Sequence, residues 1–144
     1  PKVPGLDGQK MSKSYHNTIK LREMPEDVEK KVLTMPTDPA RVRRSDPGTP
    51  EKCPVWSFHE MYSDHSTKQW ANEGCKTAGI GCIDCKRPIV DAIQKELKPI
   101  QENIKDYESD IGSVKRIVAD GSERAREDAQ KTLRDIKEAM GLDE

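Results

Sequence analysis

Aliphatic residues in the last part of the chain recur at steps of three and four, the spacing that places side chains on one face of a helix. The first stripe follows Pro88 and consists of Ile89, Ile93, Leu97, Ile100 and Ile104. It predicts a long helix with one buried face, and Pro99 within it predicts a kink near Lys98. A second stripe predicts a helix from Glu123 to Met140. Its members are Ala125, Ala129, Leu133, Ile136 and Met140.

Three shorter helices are predicted from local patterns, with the bounds Pro25–Met35, Val55–Tyr62 and Ile111–Ala119. The pair Asp120-Gly121 is expected to end the third of them before the last helix, for which Ser122 is a suitable N-cap and Gly141 a suitable C′ residue. The proline-rich segment 36–52 is predicted to be a rigid connector, and the glycine-punctuated segment 74–86 to be irregular. The sum is an all-α fold without repeats, because nothing in the pattern predicts a sheet.

The composition predicts a small hydrophobic core. Of the 144 residues, 33% are hydrophobic, 4% aromatic and 35% charged, so the helices should be amphipathic with wet outer faces. A core of this kind often has another source of stability, such as a metal site or a partner domain. The formal net charge of -1 excludes a uniformly basic nucleic-acid binder but leaves room for a local basic patch at Arg41–Arg44. No apolar run is long enough for a membrane span and no signal peptide opens the chain, so we expect a soluble, cytoplasmic protein.

Four cysteines form the strongest chemical pattern, C-x21-C-x6-C-x2-C: they are Cys53, Cys75, Cys82 and Cys85. Four unrelated thiols or two disulfides are the plain alternatives, but a reducing cytosol and the glycines Gly79 and Gly81 between the ligands favour a metal site. The spacing leaves zinc and an iron–sulfur centre both open, because both are held by four thiolates. His59 and His65 are secondary candidates as ligands.

Near the start of the chain, the stretch "GLDGQKMSKS" has the composition of a mobile loop that binds phosphate groups. It is not a Walker loop, since G-x4-G-K-[ST] does not occur. The pentapeptide "KMSKS" is the signature of class I aminoacyl-tRNA synthetases, and "PGLDGQKMSKSYHNTI" resembles the corresponding loop of the tryptophanyl-tRNA synthetase family. The downstream stretches "EDVEKKVLTMPTDPARVRRSDPGTPEKCPVW", "GIGCIDCKRPIVDAI" and "VADGSERAREDAQKTLRDIKEAMGL" resemble the helical C-terminal part of the same family.

This resemblance implies a division into two domains. Residues 1–22 would be the KMSKS loop that ends the class I catalytic domain, and residues 23–144 a helical bundle-like anticodon-binding domain. The Rossmann catalytic domain is expected to be absent from this chain. The second ATP motif of the family, an H-x-G-H-like sequence, is absent as well, because the only histidines are His16, His59 and His65. The isolated 144-residue chain is therefore expected to be inactive. Some bacterial members of the family carry a 4Fe–4S cluster on similarly spaced cysteines, so the resemblance favours a cluster over zinc.

In the complete enzyme the resemblance implies tryptophan activation by ATP with magnesium, transfer to tryptophan tRNA, and a homodimer. The expected contacts with the ATP phosphates are Lys10, Met11, Ser12, Lys13 and Ser14. Lys13 would neutralise charge on the leaving phosphates with support from Lys10, while Met11 would anchor the loop by packing. Gly5 and Gly8 are expected to be its hinges.

Contact with tRNA would fall to basic residues near the cysteines. The candidates are Arg41, Arg43, Arg44, Lys86 and Arg87. Trp56 and Trp70 could stack on bases, although filling of the core is the favoured role for both. The alternative from another class is a stand-alone four-cysteine zinc or iron–sulfur module with a structural or protein-binding role. An electron-transfer protein is the third option.

Overall fold

The computed structural model describes residues 2–142, and within this range it confirms the all-α prediction. It contains no strand there beyond an isolated antiparallel bridge between Pro4 and Lys10. The α-helices are α1 (Pro25–Leu33), α2 (Pro54–Tyr62), α3 (His65–Lys76), α4 (Cys82–Ser109) and α5 (Ile111–Met140). Two short 3-10 turns, Lys13–Tyr15 and Pro50–Lys52, precede α1 and α2 respectively. No helix in the described range is both long and apolar enough to cross a bilayer.

Helix α3 was not predicted, and the expectation that residues 74–86 are irregular was wrong. Only residues 77–81 lie between α3 and α4. Asp64 caps α3 because its side chain accepts a hydrogen bond of 2.8 Å from the backbone N–H of Thr67. The helix buries a single residue, Ala71, so it has almost no hydrophobic stripe by which a sequence pattern could reveal it.

The C-terminal helices also run further than the sequence predicted. Helix α4 begins at Cys82 rather than at Pro88 and continues through Pro99, so the kink stays a prediction. Helix α5 is one element, and the predicted break at Asp120-Gly121 was wrong. Asp110 is the N-cap of α5, with its carboxylate accepting from Ser113 N–H at 2.9 Å. Gly141 ends it in the left-handed region at φ 67°, as predicted.

The chain divides into two compact units, Pro1–Gln101 and Glu102–Glu144. The described part of the first unit holds a core built from α1, α2 and α4, and Leu6 and Ile19 of the N-terminal loop pack against it. The core consists of Val28, Val32, Met35, Val55, Phe58, Ile89, Val90, Ile93 and Leu97. In the second unit, by itself, α5 buries none of its side chains. Its apolar stripe is therefore uncovered within that unit.

Candidate metal centre and N-terminal loop

The ends of three helices bring the four cysteines together. Cys53 directly precedes α2, Cys75 lies in the last turn of α3, and Cys82 and Cys85 lie in the first turn of α4. All four are free, partly exposed thiols. Helix α3 thus places Cys75 near the other cysteines. The sequence spacing alone did not reveal this helix in the gap of twenty-one residues between Cys53 and Cys75.

The sulfur atoms share one region without forming a finished metal site. Cys53, Cys75 and Cys85 line a narrow cavity, and Cys82 lines a separate open groove. Between residues 2 and 142, no three Cys, His, Asp or Glu side chains stand in positions that could already hold a metal ion. Burial raises the pKa of Cys85 to about 12, and the other three cysteines add to that rise. A metal binding here must therefore displace thiol protons.

Arg41 is a buried cation of this region. Only 8% of its surface is exposed, and its Nη2 donates to the backbone carbonyls of Arg44 and Ile80. Nη1 lies 3.9 Å from the sulfur of Cys75, and the buried Nε has no partner in the described structure. A buried guanidinium with an unused N–H, close to the sulfur of Cys75, fits a centre that carries negative charge, as a thiolate-ligated metal does.

The backbone at Gly48 packs closely against the sulfur of Cys75. Its N–H donates to the carbonyl of Cys75 at 2.9 Å, and a Cβ added at Gly48 would lie 2.5 Å from the Cys75 sulfur. Only glycine can occupy this position without displacing the thiol. The donor set, the cation and this close approach together fit a metal held by four cysteines.

His59 supports the cysteines rather than joining them. It is 1% exposed, and its Nδ1 lies 2.8 Å from the Ser63 hydroxyl. Its Nε2 lies 3.0 Å from the Cys85 carbonyl and 3.3 Å from the Cys85 sulfur. Burial lowers the pKa of His59 and favours the neutral ring, which donates from Nε2 to the carbonyl and accepts at Nδ1. Both ring nitrogens are thereby used, and the ring orients the backbone of a cysteine.

Two of the five predicted tRNA contacts are buried. Lys86 is 3% exposed and donates from Nζ to the carbonyls of Leu33 and Met35, both at 2.7 Å, which caps the end of α1. Burial lowers the pKa of Lys86, and the neighbouring cysteines oppose that shift. Arg41 is also buried, as described above. Neither side chain is available to a phosphate in this structure, because both are committed to backbone carbonyls.

The other predicted contacts lie on the surface. Arg43, Arg44 and Arg87 are exposed, and Arg44 approaches the carboxylate of Asp84 to 3.8 Å. Trp70 is 42% exposed, so the core-filling role expected for it was wrong. Trp56 is half-buried against the cysteine cavity. His65 begins α3 and is exposed, away from the lining of that cavity.

The N-terminal loop presents its lysines outward on an ordered backbone. Lys13 begins the turn Lys13–Tyr15, which Ser12 caps by accepting from Ser14 N–H at 3.3 Å. Lys10 and Lys13 are exposed, whereas Met11 is half-buried. The N–H of Met11 donates to the Val3 carbonyl at 2.8 Å. This arrangement can aim two ammonium groups at a ligand from a backbone that is already folded.

The two glycines of the loop serve different purposes. Gly8 has φ +80°, the left-handed region in which glycine is unstrained. Gly5 is buried, and a Cβ there would overlap the amide nitrogen of Asn17. Gly5 is therefore needed for space rather than as a hinge. Asn17 was missed by the sequence analysis, since a polar residue in a loop gives no sign of burial.

Comparison with protein families supports a single assignment. The sequence model of the family described as tRNA synthetases class I (W and Y) matches residues 1–98. The tryptophan–tRNA ligase of Ralstonia nicotianae is 55% identical over 141 residues, which cover 98% of this chain and 35% of that protein. The tryptophan–tRNA ligase of Thermotoga maritima is 46% identical over 143 residues, 99% of this chain and 44% of that protein.

A solved structure with the same fold carries the same name. The tryptophanyl-tRNA synthetase of Campylobacter jejuni, complexed with ADP and tryptophan, superimposes with a TM-score of 0.79 at 27% identity. The match covers 99% of this chain and 44% of that one. The chain thus spans less than half the length of each of these relatives.

Proposed function

Because this chain belongs to the family of class I tRNA synthetases for tryptophan and tyrosine, we propose that it forms the C-terminal part of a tryptophan–tRNA ligase. The observation that carries the proposal is the match along almost the whole chain to ligases that all bear this one name. The complete ligase joins tryptophan to its tRNA at the expense of ATP. The chain alone is expected to form no tryptophanyl adenylate, because its lysine loop then has no bound nucleotide to act on.

In the complete ligase the N-terminal loop contacts the phosphates of ATP. The carboxylate of tryptophan attacks the α-phosphate, and pyrophosphate leaves. The ammonium groups of Lys10 and Lys13 offset the negative charge that grows on the leaving phosphates. Ser12 and Ser14 supply hydroxyl donors on the same short turn. The exposure of both lysines on an ordered backbone supports this role.

The cysteine region is proposed to hold a 4Fe–4S cluster in the tRNA-binding part. Cys53, Cys75, Cys82 and Cys85 would be its ligands, and Arg41 would offset its negative charge. Structural zinc sites commonly use two short chelating pairs, whereas here only Cys82 and Cys85 form such a pair. Bound, the cluster supplies a cross-link between the ends of α2, α3 and α4. That cross-link would stabilise a unit whose core is small.

The surface beside the cysteines is proposed to contact tRNA. An open groove there is lined by the basic loop 41–44 and by the first turn of α4, with Val42 84% exposed and Ile83 48% exposed. Arg43, Arg44 and Arg87 supply positive charge for phosphates, and the exposed apolar side chains can lie against unstacked bases.

The experiment that tests this function is a salt titration of tRNA binding by the 144-residue chain. The unmodified chain should prefer tryptophan tRNA over a non-cognate tRNA. The double variant Arg43→Gln, Arg44→Gln should weaken binding and lower the slope of log K against log salt by about 2, roughly one for each phosphate that is no longer neutralised. Fluorescence anisotropy with labelled tRNA gives both quantities.

A matched control has the same charge change on α5, in Arg124→Gln, Arg134→Gln, where both side chains are exposed. Circular dichroism checks that both double variants keep the helical content of the unmodified chain. Equal affinities and equal slopes for the two double variants would remove the loop 41–44 from the tRNA surface. Lack of preference for tryptophan tRNA in the unmodified chain would contradict the proposed function itself.

A further inference from the structure

The N-terminal loop is folded around one buried side chain, the amide of Asn17, which is 3% exposed. Its Nδ2 donates to the carboxylate of Asp7 at 2.8 Å and to the backbone carbonyl of Lys10 at 3.1 Å. Its Oδ1 accepts from the backbone N–H of Ser12 at 2.8 Å. One amide thus binds the backbone on both sides of Met11, at the carbonyl of Lys10 and at the N–H of Ser12.

The pattern of donors and acceptors at this position admits asparagine alone. Both N–H groups and the oxygen of the Asn17 amide are used, and their three partners are two acceptors and one donor. An aspartate here would replace the donating Nδ2 by a second oxygen. That oxygen would face the carbonyl of Lys10 and the carboxylate of Asp7, which are both acceptors, without a hydrogen bond to either. Alanine would leave the Ser12 N–H and the Lys10 carbonyl without these partners.

The rest of the segment is shaped to admit this amide. Gly5 leaves the space that the amide fills, since an added Cβ would overlap Nδ2. The backbone carbonyl of Asn17 accepts from Leu6 N–H at 3.0 Å, so the end of the loop is fixed to its beginning. Asp7 also accepts from the N–H of Gln9 at 3.0 Å. The asparagine therefore closes residues 5–17 into one hydrogen-bonded unit.

We propose that Asn17 is a positioning residue for the ATP-contacting loop. This role rests on the proposed function, and it adds a residue that touches no substrate and acts through the backbone of Lys10 and Ser12. By fixing those two points, Asn17 sets the directions from which the lysine side chains reach the phosphates. Misplacement of reacting groups by about 1 Å can cost roughly 100-fold in rate, so the effect belongs to the chemical step.

The test uses a complete tryptophan–tRNA ligase that contains this chain and follows tryptophan-dependent ATP–pyrophosphate exchange. Asn17→Asp should lower kcat by about 10- to 100-fold, with the KM for tryptophan changed by less than about twofold, because the loop is proposed to contact the phosphates of ATP and not the amino acid. Asp7→Asn keeps an oxygen that can accept from Asn17 and should retain most of the activity. Asn103→Asp makes the same chemical change on the exposed face of α4 and should have no effect.

A second readout on the 144-residue chain reports the loop directly. In Asn17→Ala, which removes the oxygen that accepts from the Ser12 N–H, the amide proton of Ser12 should exchange with solvent faster, while the core amides of α4 keep their protection. An unmodified ligase with no pyrophosphate exchange would overturn the proposed function. An active ligase in which Asn17→Asp matches Asn103→Asp in kcat would overturn the role of Asn17, and so would unchanged exchange of the Ser12 amide.

Discussion

Substitution of Cys85 by serine is expected to abolish cluster binding. The chain has four cysteines and all four are proposed ligands, so no other thiol can take the place of Cys85. The variant, purified without oxygen, should lack iron, sulfide and visible absorption. Its free energy of unfolding should fall by about 4 kcal/mol, the stabilisation expected from a ligand at about a thousand times its dissociation constant.

The matched control places the same new residue between two of the ligands. In Ile83→Ser the side chain that changes is 48% exposed and carries no sulfur, so iron content and absorption should equal those of the unmodified chain. Iron and sulfide analysis, the absorption spectrum and urea unfolding measure the difference. A Cys85→Ser chain that keeps its iron and its stability would exclude this residue as a ligand.

Substitution of Lys13 by alanine is expected to be the most damaging change to catalysis in the complete ligase. Removal of one preorganised group that stabilises charge in a transition state typically costs about 100- to 1,000-fold in kcat. The decrease should appear in kcat for tryptophan-dependent ATP–pyrophosphate exchange, with the affinity for tryptophan preserved. The reason is that Lys13 is proposed to act on the departing phosphates and not on the amino acid.

Lys20→Ala is the control for this effect, because Lys20 is also exposed and lies seven positions further along the chain, outside the turn Lys13–Tyr15. It should change kcat by less than about twofold. Equal rates for the two variants would mean that the loop does not act on the phosphates. The test of Asn17 is independent of this comparison, because it also measures exchange of the Ser12 amide in the 144-residue chain without the rest of the ligase.

The helices that the sequence predicted all carry apolar residues at helical spacing, few of them in the short α1 and α2 and many in α4 and α5. Helix α4 carries buried Ile89, Ile93 and Leu97 at regular steps, and that regularity is visible without a structure. Helix α3 escaped prediction because it buries only Ala71 and depends on its cap at Asp64. The expected break before the last helix rested on local signals, which the continuous backbone of α5 overrode.

The grouping of the cysteines was predictable from their types and from the glycines between them, but the roles of neighbouring charges were not. Arg41 and Lys86 were both assigned to tRNA because their positive charge is plain from residue type alone. Their burial depends on carbonyls that lie far along the chain, such as Met35 for Lys86 and Ile80 for Arg41. Asn17 was missed for the same reason, because its partners become apparent only when the loop is folded.

Four cysteines from three helix ends are proposed to hold one iron–sulfur cluster in the tRNA-binding part of a tryptophan–tRNA ligase. The most direct measurement is iron and acid-labile sulfide analysis, with an absorption spectrum, on the unmodified chain purified without oxygen. We expect about four iron and four sulfide ions per chain and a broad visible band. A colourless chain that carries zinc, or one whose cysteines are paired with one another and hold no metal, would contradict it.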